Sequence, residues 1–367
     1  MSVADPVFLE AAIELAELGR MTCAPNPPVG CLVVRNGQII GRGYHQTAGE
    51  GHAEVNAIAD AGGDVAGATV YVSLEPCAFV GRTPACAQTL IDAQVARVVV
   101  AAVDPHPRVA GQGIAQLQNA GIEVGVLSIP RALDAIAGYV ARVTRGRPIV
   151  RIKTASSLDG ATALSSGESQ WITGAAARAD VQYWRARSDA IITGVATVID
   201  DDPALTVRDA AYQHARAPLR VVLDHTLRTP PSAKILKSDA PTLIVHNADV
   251  TPAESLRLPG VEFLALTGGP ANLHSLLEHL AERGCNDVLV EAGAKVVGSF
   301  VAAQLWDEWI MYIAPKWLGE HARALAGFDV ANLSEAPHGQ IRDTAQIGAD
   351  LRLRLTPTTD PQKLIRS

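Results

Sequence analysis

Long hydrophobic runs are missing from this 367-residue chain: no run is longer than the six residues of VVVAAV at 98–103, far short of a bilayer span of roughly 20 apolar residues, so no membrane helix is expected. An excess of basic charge is missing too. The formal net charge of -7 gives no support for a nucleic-acid platform, so an anionic ligand must meet particular arginines rather than a general positive field. Cysteine is scarce and odd in number, five in all. The N-terminus, MSVADPVFLEAAIELAELGR, reads as an amphipathic first helix, with acids among its apolar residues and no basic leader. Both features point to a reducing compartment, the cytoplasm, where thiolates act as ligands before they form disulfides. Internal repeats, low-complexity segments and a Gly-x-Gly-x-x-Gly fingerprint are also absent. The GQG at 111–113 lacks the third glycine and follows a proline-rich loop, so a Rossmann domain is not expected.

What is present is an ordinary globular composition, 48% hydrophobic and 19% charged, in a length that suits two domains. Between 29 and 43 an apolar run, an Asn36-Gly37 turn and a second apolar run predict a hairpin. The pattern then predicts helices over 53–61, 84–93, 113–120 and 130–144, alternating with strands over 68–74, 97–103 and 122–127. Charge, glycine and proline cluster in RGRP at 145–148, which sets domains of 1–146 and 147–367. The second half alternates again. Strands are expected at 149–157, 189–193, 219–223, 242–246, 287–290, 308–313 and 350–356, with helices at 175–187, 272–283 and 294–303 and a surface loop at 209–217. Both halves are therefore expected to be α/β.

Two stretches of the first half carry chemistry, HAEVNAI at 52–58 and LEPCAFVGRTPAC at 74–86. His52, Cys77 and Cys86 supply three of the four tetrahedral ligands that zinc prefers, leaving one position for water, as in a catalytic site. Glu54 can reach that water without binding the metal and pass its proton to a leaving ammonia. His-x-Glu followed by Pro-Cys and a second Cys resembles the zinc-dependent nucleoside and nucleobase deaminase superfamily. Eight residues separate the two cysteines where most of that superfamily has two. With APNPPVG at 24–30 and GYHQTAGEGHAE at 43–54, this long insert resembles the deaminase half of the bifunctional riboflavin-biosynthesis deaminase/reductase family. The resemblance implies that Asn26 and His45 contact the pyrimidine or its phosphoribosyl arm and that Arg82 meets the phosphate. Phe79 stands where the family usually has histidine, and His106 where it usually has asparagine.

In the second half, 153–173, 184–208 and 288–300 resemble the reductase half of the same family. In VEAGAKVVGS a strand ends in an acid and Gly293 opens a helix, which suits either a pyrophosphate on free backbone amides or simple helix–strand packing. The resemblance implies that Ser169, Arg185, Leu205, Arg208 and Glu291 hold the substrate. It implies that Ala155, Trp171, Thr197, Asp201, Gly293, Ala294, Lys295, Val296, Val297, Gly298 and Ser299 hold NADPH. Whether Lys153 faces that site is left open. The implied fold is a cytidine-deaminase-like three-layer domain followed by a dihydrofolate-reductase-like domain. The implied reactions are zinc-dependent deamination of a phosphoribosyl diaminopyrimidinone, then NADPH-dependent reduction of its ribosyl chain. A homo-oligomer, dimer or tetramer, is expected, with neither nucleic acid nor membrane as partner. The rival readings are a single-function zinc deaminase of a base, nucleoside or tRNA with a non-catalytic second domain, and a non-catalytic binding module.

Overall fold

Apolar residues 9, 12, 13 and 16 recur at helical spacing, and they lie buried along one side of α1 (Asp5–Gly19). The structure is a computed structural model that describes residues 4–79, 84–107, 109–237 and 240–358. It falls into two units, 1–147 and 148–367. In the first, α1 is followed by β1 (Gly30–Arg35) and β2 (Gln38–Tyr44), which turn at Asn36 and Gly37, both with positive φ. Then come α2 (Ala53–Asp60), β3 (Thr69–Val72), α3 (Cys86–Asp92), β4 (Arg97–Val100), α4 (Gln112–Asn119), β5 (Glu123–Val126), α5 (Pro130–Ala135) and α6 (Ala137–Arg145).

Among the described residues these strands form one sheet in the order β2-β1-β3-β4-β5. β1 pairs antiparallel with β2 and β3, and the remaining pairs are parallel. Period-two alternation sends Cys31, Val33, Val70, Val72, Val98 and Val100 to the face covered by α2, α3 and α4. Leu32, Val34, Tyr71 and Val99 go to the other face, against α1, α5 and α6. The single helix predicted over 130–144 is two. Ile136 leaves helical geometry (φ -109°, ψ 16°) where it and nearby Gly138, both weak helix formers, fall together.

The second unit runs β6 (Ile149–Ser157), β7 (Ala161–Ala163), α7 (Ala175–Ala186), β8 (Ala190–Gly194), α8 (Val195–Asp201), β9 (Leu219–Leu223), β10 (Thr242–Asn247) and β11 (Val261–Leu266). It continues with α9 (Leu273–Glu282), β12 (Asp287–Val290), α10 (Ala294–Ala302), β13 (Glu308–Ala314), β14 (Arg323–Ala324), β15 (Gly339–Ile347) and β16 (Asp350–Pro357). The main sheet has the order β11-β10-β9-β8-β12-β6-β13-β16-β15, parallel as far as β13 and antiparallel beyond it. β7 and β14 form a small separate pair. Val150, Ile152, Val221, Val245, Val288 and Val290 pack under α9 and α10. Ile191, Val222, Ile244, Leu289 and Ile310 pack under α7 and α8. Buried Arg151 pairs with Asp287 and Glu308, which ties β6 to both of its neighbours. The parallel strands send their C-terminal ends to one edge, where the crossover connections leave a crevice.

Candidate active sites

The end of β2 and the start of α2 place His45 and His52 side by side, their rings edge to face with centroids 5.0 Å apart. His52 is the cap residue of α2, so Glu54 falls in the first turn on the buried side, 3% exposed. Cys86 opens α3, and its backbone amide donates to the Cys77 sulfur at 3.3 Å. Two helix starts thus bring the candidate ligands together. His52 Nδ1 lies 3.1 Å from Cys86 Sγ and 3.7 Å from Cys77 Sγ, and all three atoms fall within 4.8 Å of one another. Tetrahedral zinc bonded at about 2.0 Å to nitrogen and 2.3 Å to sulfur sets its ligand atoms roughly 3.5–3.8 Å apart, so the donor set fits that ion.

The Cys86 thiol donates to Cys77 and, against burial, pulls the Cys77 thiol down to about 4, a sulfur ready to ligate as thiolate. Burial pushes the Glu54 carboxyl above the ordinary carboxylate range. Asn26 Nδ2 donates to His45 Nε2 at 3.0 Å, and His45 Nδ1 donates to the Gly51 carbonyl at 3.1 Å, so the imidazole is held at both nitrogens. Asn26, His45, His52, Glu54, Cys77 and Cys86 therefore share one neighbourhood. Arg82 lies outside the described residues.

In the second unit a cleft of about 1140 Å³ opens at the C-terminal ends of β6, β8, β9 and β12. Ser169, Arg185, Leu205, Arg208 and Glu291 line it, as do Ala155, Trp171, Thr197 and Asp201. Gly293, Ala294, Lys295, Val296 and Ser299, at the start of α10, complete that wall. Val297 and Gly298 stand apart from it. On a helix only part of each turn can face the cleft, and Val297 is buried in the core while Gly298 packs on the backbone of Gly327.

Glu291 is the charged centre of the cleft. Arg185 donates from Nε to Oε1 at 2.6 Å and from a terminal nitrogen to Oε2 at 2.9 Å, while its other nitrogen reaches the Thr206 carbonyl at 3.2 Å. Lys153 Nζ stands 3.8 Å from Glu291 Oε2, so this lysine does face the cleft. Burial pulls Glu291 up, but the Arg185 charge and hydrogen bonds and the Lys153 charge outweigh it and hold the carboxyl below its ordinary range. Burial likewise pulls the Lys153 ammonium below the ordinary lysine value, with Glu291 opposing. Arg208 donates only its backbone amide, to Gln182 at 2.7 Å, and its side chain makes no hydrogen bond or ion pair among the described residues. Ser169 Oγ donates to Asp201 at 3.3 Å, and Arg178 stacks 4.4 Å over the exposed Trp171 ring.

Sequence reasoning passed over Glu75, a buried carboxylate beside Cys77. It also passed over His225 and Arg228, which line the cleft beyond β9. None of the three had a motif to mark it.

Residues 3–102 match the family described as the cytidine and deoxycytidylate deaminase zinc-binding region, and residues 148–353 match the RibD C-terminal domain. The riboflavin biosynthesis protein RibD of Haemophilus influenzae is 43% identical over 365 residues, 96% of this chain and 97% of that one. The Escherichia coli protein of that name is also 43% identical, over 96% of this chain and 99% of its own length. Among solved structures, Acinetobacter baumannii RibD, form 1, superposes with a TM-score of 0.91 at 44% identity, covering 97% of this chain and 99% of that one. A Thermotoga maritima deaminase/reductase gives 0.87 at 32% identity over 96% and 98%. Taken with the three-ligand cluster and the cleft, these likenesses show that the chain belongs to the RibD family of bifunctional riboflavin-biosynthesis enzymes, with a cytidine-deaminase-like zinc-binding half and a dihydrofolate-reductase-like reductase half.

Proposed function

We propose that the first unit hydrolyses an amino group from the diaminopyrimidinone phosphoribosyl compound and that the second reduces the ribosyl chain of the product to ribityl. The observation that carries the first step is the convergence of His52, Cys77 and Cys86 beside buried Glu54. These three residues would hold zinc, whose Lewis acidity makes water nucleophilic near neutral pH. Glu54 would take a proton from water as the water oxygen bonds the ring carbon and would deliver a proton to the departing nitrogen, which would leave as ammonia. Asn26 and His45 orient the pyrimidine. Arg82 remains the candidate for its phosphate.

In the second unit NADPH, when bound, would supply a hydride. The chain must supply a proton to the sugar ring oxygen as the ring opens, and Lys153 is the acid beside the cleft that can give it. Glu291 orients that ammonium and the sugar hydroxyls. The fork of Arg185 is already engaged by Glu291 and Thr206, so the phosphate of the substrate falls to Arg208. The first amides of α10 would meet the cofactor pyrophosphate, with Thr197 facing Gly293. Arg228, exposed in the cleft, suits the additional phosphate of NADPH, and about ten-fold or greater preference over NADH is expected from one charged contact.

No helix among the described residues is long and apolar enough to cross a membrane. A cytoplasmic setting suits five cysteines none of which is in a disulfide. A homo-oligomer would cover β15, an edge strand with Ile341 56% exposed, and light scattering tests it. The chemistry is tested by supplying the diaminopyrimidinone phosphate with and without NADPH and weighing the products. Deaminated ribosyl compound should accumulate without NADPH and ribityl compound with it. With NADPH present, its consumption with the amino group left in place, or deamination with the ribosyl chain unchanged, would overturn the two-step reading.

A further inference from the structure

Glu75 is 4% exposed and lies two residues before the ligand Cys77. Its carboxylate accepts four backbone amides, two from the connection between β4 and α4 and two from the first turn of α4. Oε2 takes Asp104 at 3.1 Å and Gly111 at 2.9 Å, and Oε1 takes Gly113 at 2.9 Å and Ile114 at 3.3 Å. The amide of Glu75 donates to the Ala102 carbonyl at 2.9 Å. Gly111 is the cap residue of α4 and has no side chain to satisfy the first amides of the helix, so Glu75 caps α4 from another part of the chain. A carboxylate is costly to bury, and a complete set of charge-assisted bonds of this kind is what offsets the cost.

Between Glu75 and Cys77 stands only Pro76, whose ring fixes φ and leaves little slack. On its other side Cys77 is held by α3: Ala87 donates to its carbonyl at 3.1 Å and Cys86 to its sulfur at 3.3 Å. We propose that Glu75 is a positioning residue of the deaminase centre, locking the turn that carries Cys77 to the β4–α4 connection so that its sulfur stays opposite His52 and Cys86. The inference rests on the zinc-deaminase reading of the first unit and deepens it. Gly113 belongs to the same lock, because it lies so close to the Pro76 carbonyl that a Cβ there would strike the oxygen.

The test compares full-length zinc-loaded wild type with Glu75→Gln, Gly113→Ala and Asp5→Asn. Glutamine keeps the size of Glu75 but turns an NH₂ towards two N–H donors. Asp5 is a second fully buried carboxylate of the same unit, bound to Arg97 and Tyr71 at the start of α1, with no ligand near it in sequence. Zinc release to a chromogenic chelator, the visible bands of the cobalt-substituted protein and the thermal midpoint are measured for each. The reduction rate of the second unit normalises the amount of intact chain, and the thermal midpoint reports whether the first unit is folded. Glu75→Gln should release zinc about ten-fold faster or more and shift the cobalt bands, the size seen when groups behind a ligand are lost. Asp5→Asn should lower the midpoint and leave release and bands as in wild type. Unchanged release and bands in Glu75→Gln, or equal changes in Asp5→Asn, would overturn the proposal. Should Glu75→Gln not fold, Gly113→Ala decides it: faster release supports the lock, and wild-type release overturns it. A wild-type chain that binds no zinc would instead overturn the underlying deaminase reading.

Discussion

Glu54 and Glu291 are both buried carboxylates, and their surroundings push them in opposite directions. Around Glu54 burial dominates and the carboxyl is raised, which suits a group that must carry a proton. Glu54→Gln should therefore retain zinc by emission spectroscopy and lose roughly two orders of magnitude or more in ammonia release. Around Glu291 burial is outweighed by Arg185 and Lys153, and the carboxyl is lowered. A lowered folded pKa contributes stability that is fully present above the unfolded value of about 4.3 and is lost as pH falls through the folded value. The second unit should hold its thermal midpoint from neutrality down to about pH 5 and lose it below about 4.5, and Glu291→Gln should flatten that acid limb in calorimetry. Arg208→Ala should raise the KM for reduction about ten-fold or more by removing a charged contact to phosphate. Arg185→Ala should instead act through a misplaced Glu291 and lower kcat, a difference that steady-state kinetics reads directly.

At the scale of elements, α10 shows how closely the fold is packed. Gly298 lies against the carbonyl of Gly327, where a Cβ would collide with backbone. Gly298→Ala should cost the second unit about 1–3 kcal/mol by overpacking, measured by denaturant unfolding, while deamination is unaffected. The same close fit explains which elements the sequence showed. β4, β8, β9 and β12 are made mostly of buried apolar residues and were legible as strands. β11 and β15 lie at the two edges of their sheet and carry mixed or polar residues that leave no clean period, and α8 is only 7 residues long, so none of the three was expected. The break at Ile136 was equally invisible, because residues 132, 135, 136, 139 and 140 keep a helical period straight across it.

For the whole molecule the prediction is separability. Stripping zinc with a chelator should abolish deamination and lower the unfolding temperature of the first unit, since metal ligation is coupled to folding, while NADPH-dependent reduction persists. Loss of both activities together in a folded chain would contradict a division of chemistry between two units. His52, Glu54, Cys77 and Cys86 could be recognised from sequence because metal ligation restricts residue type and places ligands at helix starts, leaving a pattern that survives in one dimension. The alternation of strands and helices was legible for a similar reason, since burial on two faces writes a period into the chain. Lys153 and Glu75 left no such pattern. Their partners are far away in sequence, Glu291 for one and the amides of residues 104–114 for the other. Only the parallel stacking of β6 with β12 faces Lys153 to the cleft, and only the adjacency of β3 and β4 brings the α4 amides to Glu75. Residue type and spacing determined the chemistry available, and strand order decided which charges meet, because a pairwise electrostatic or hydrogen-bond contact depends on distance in space rather than on separation along the chain.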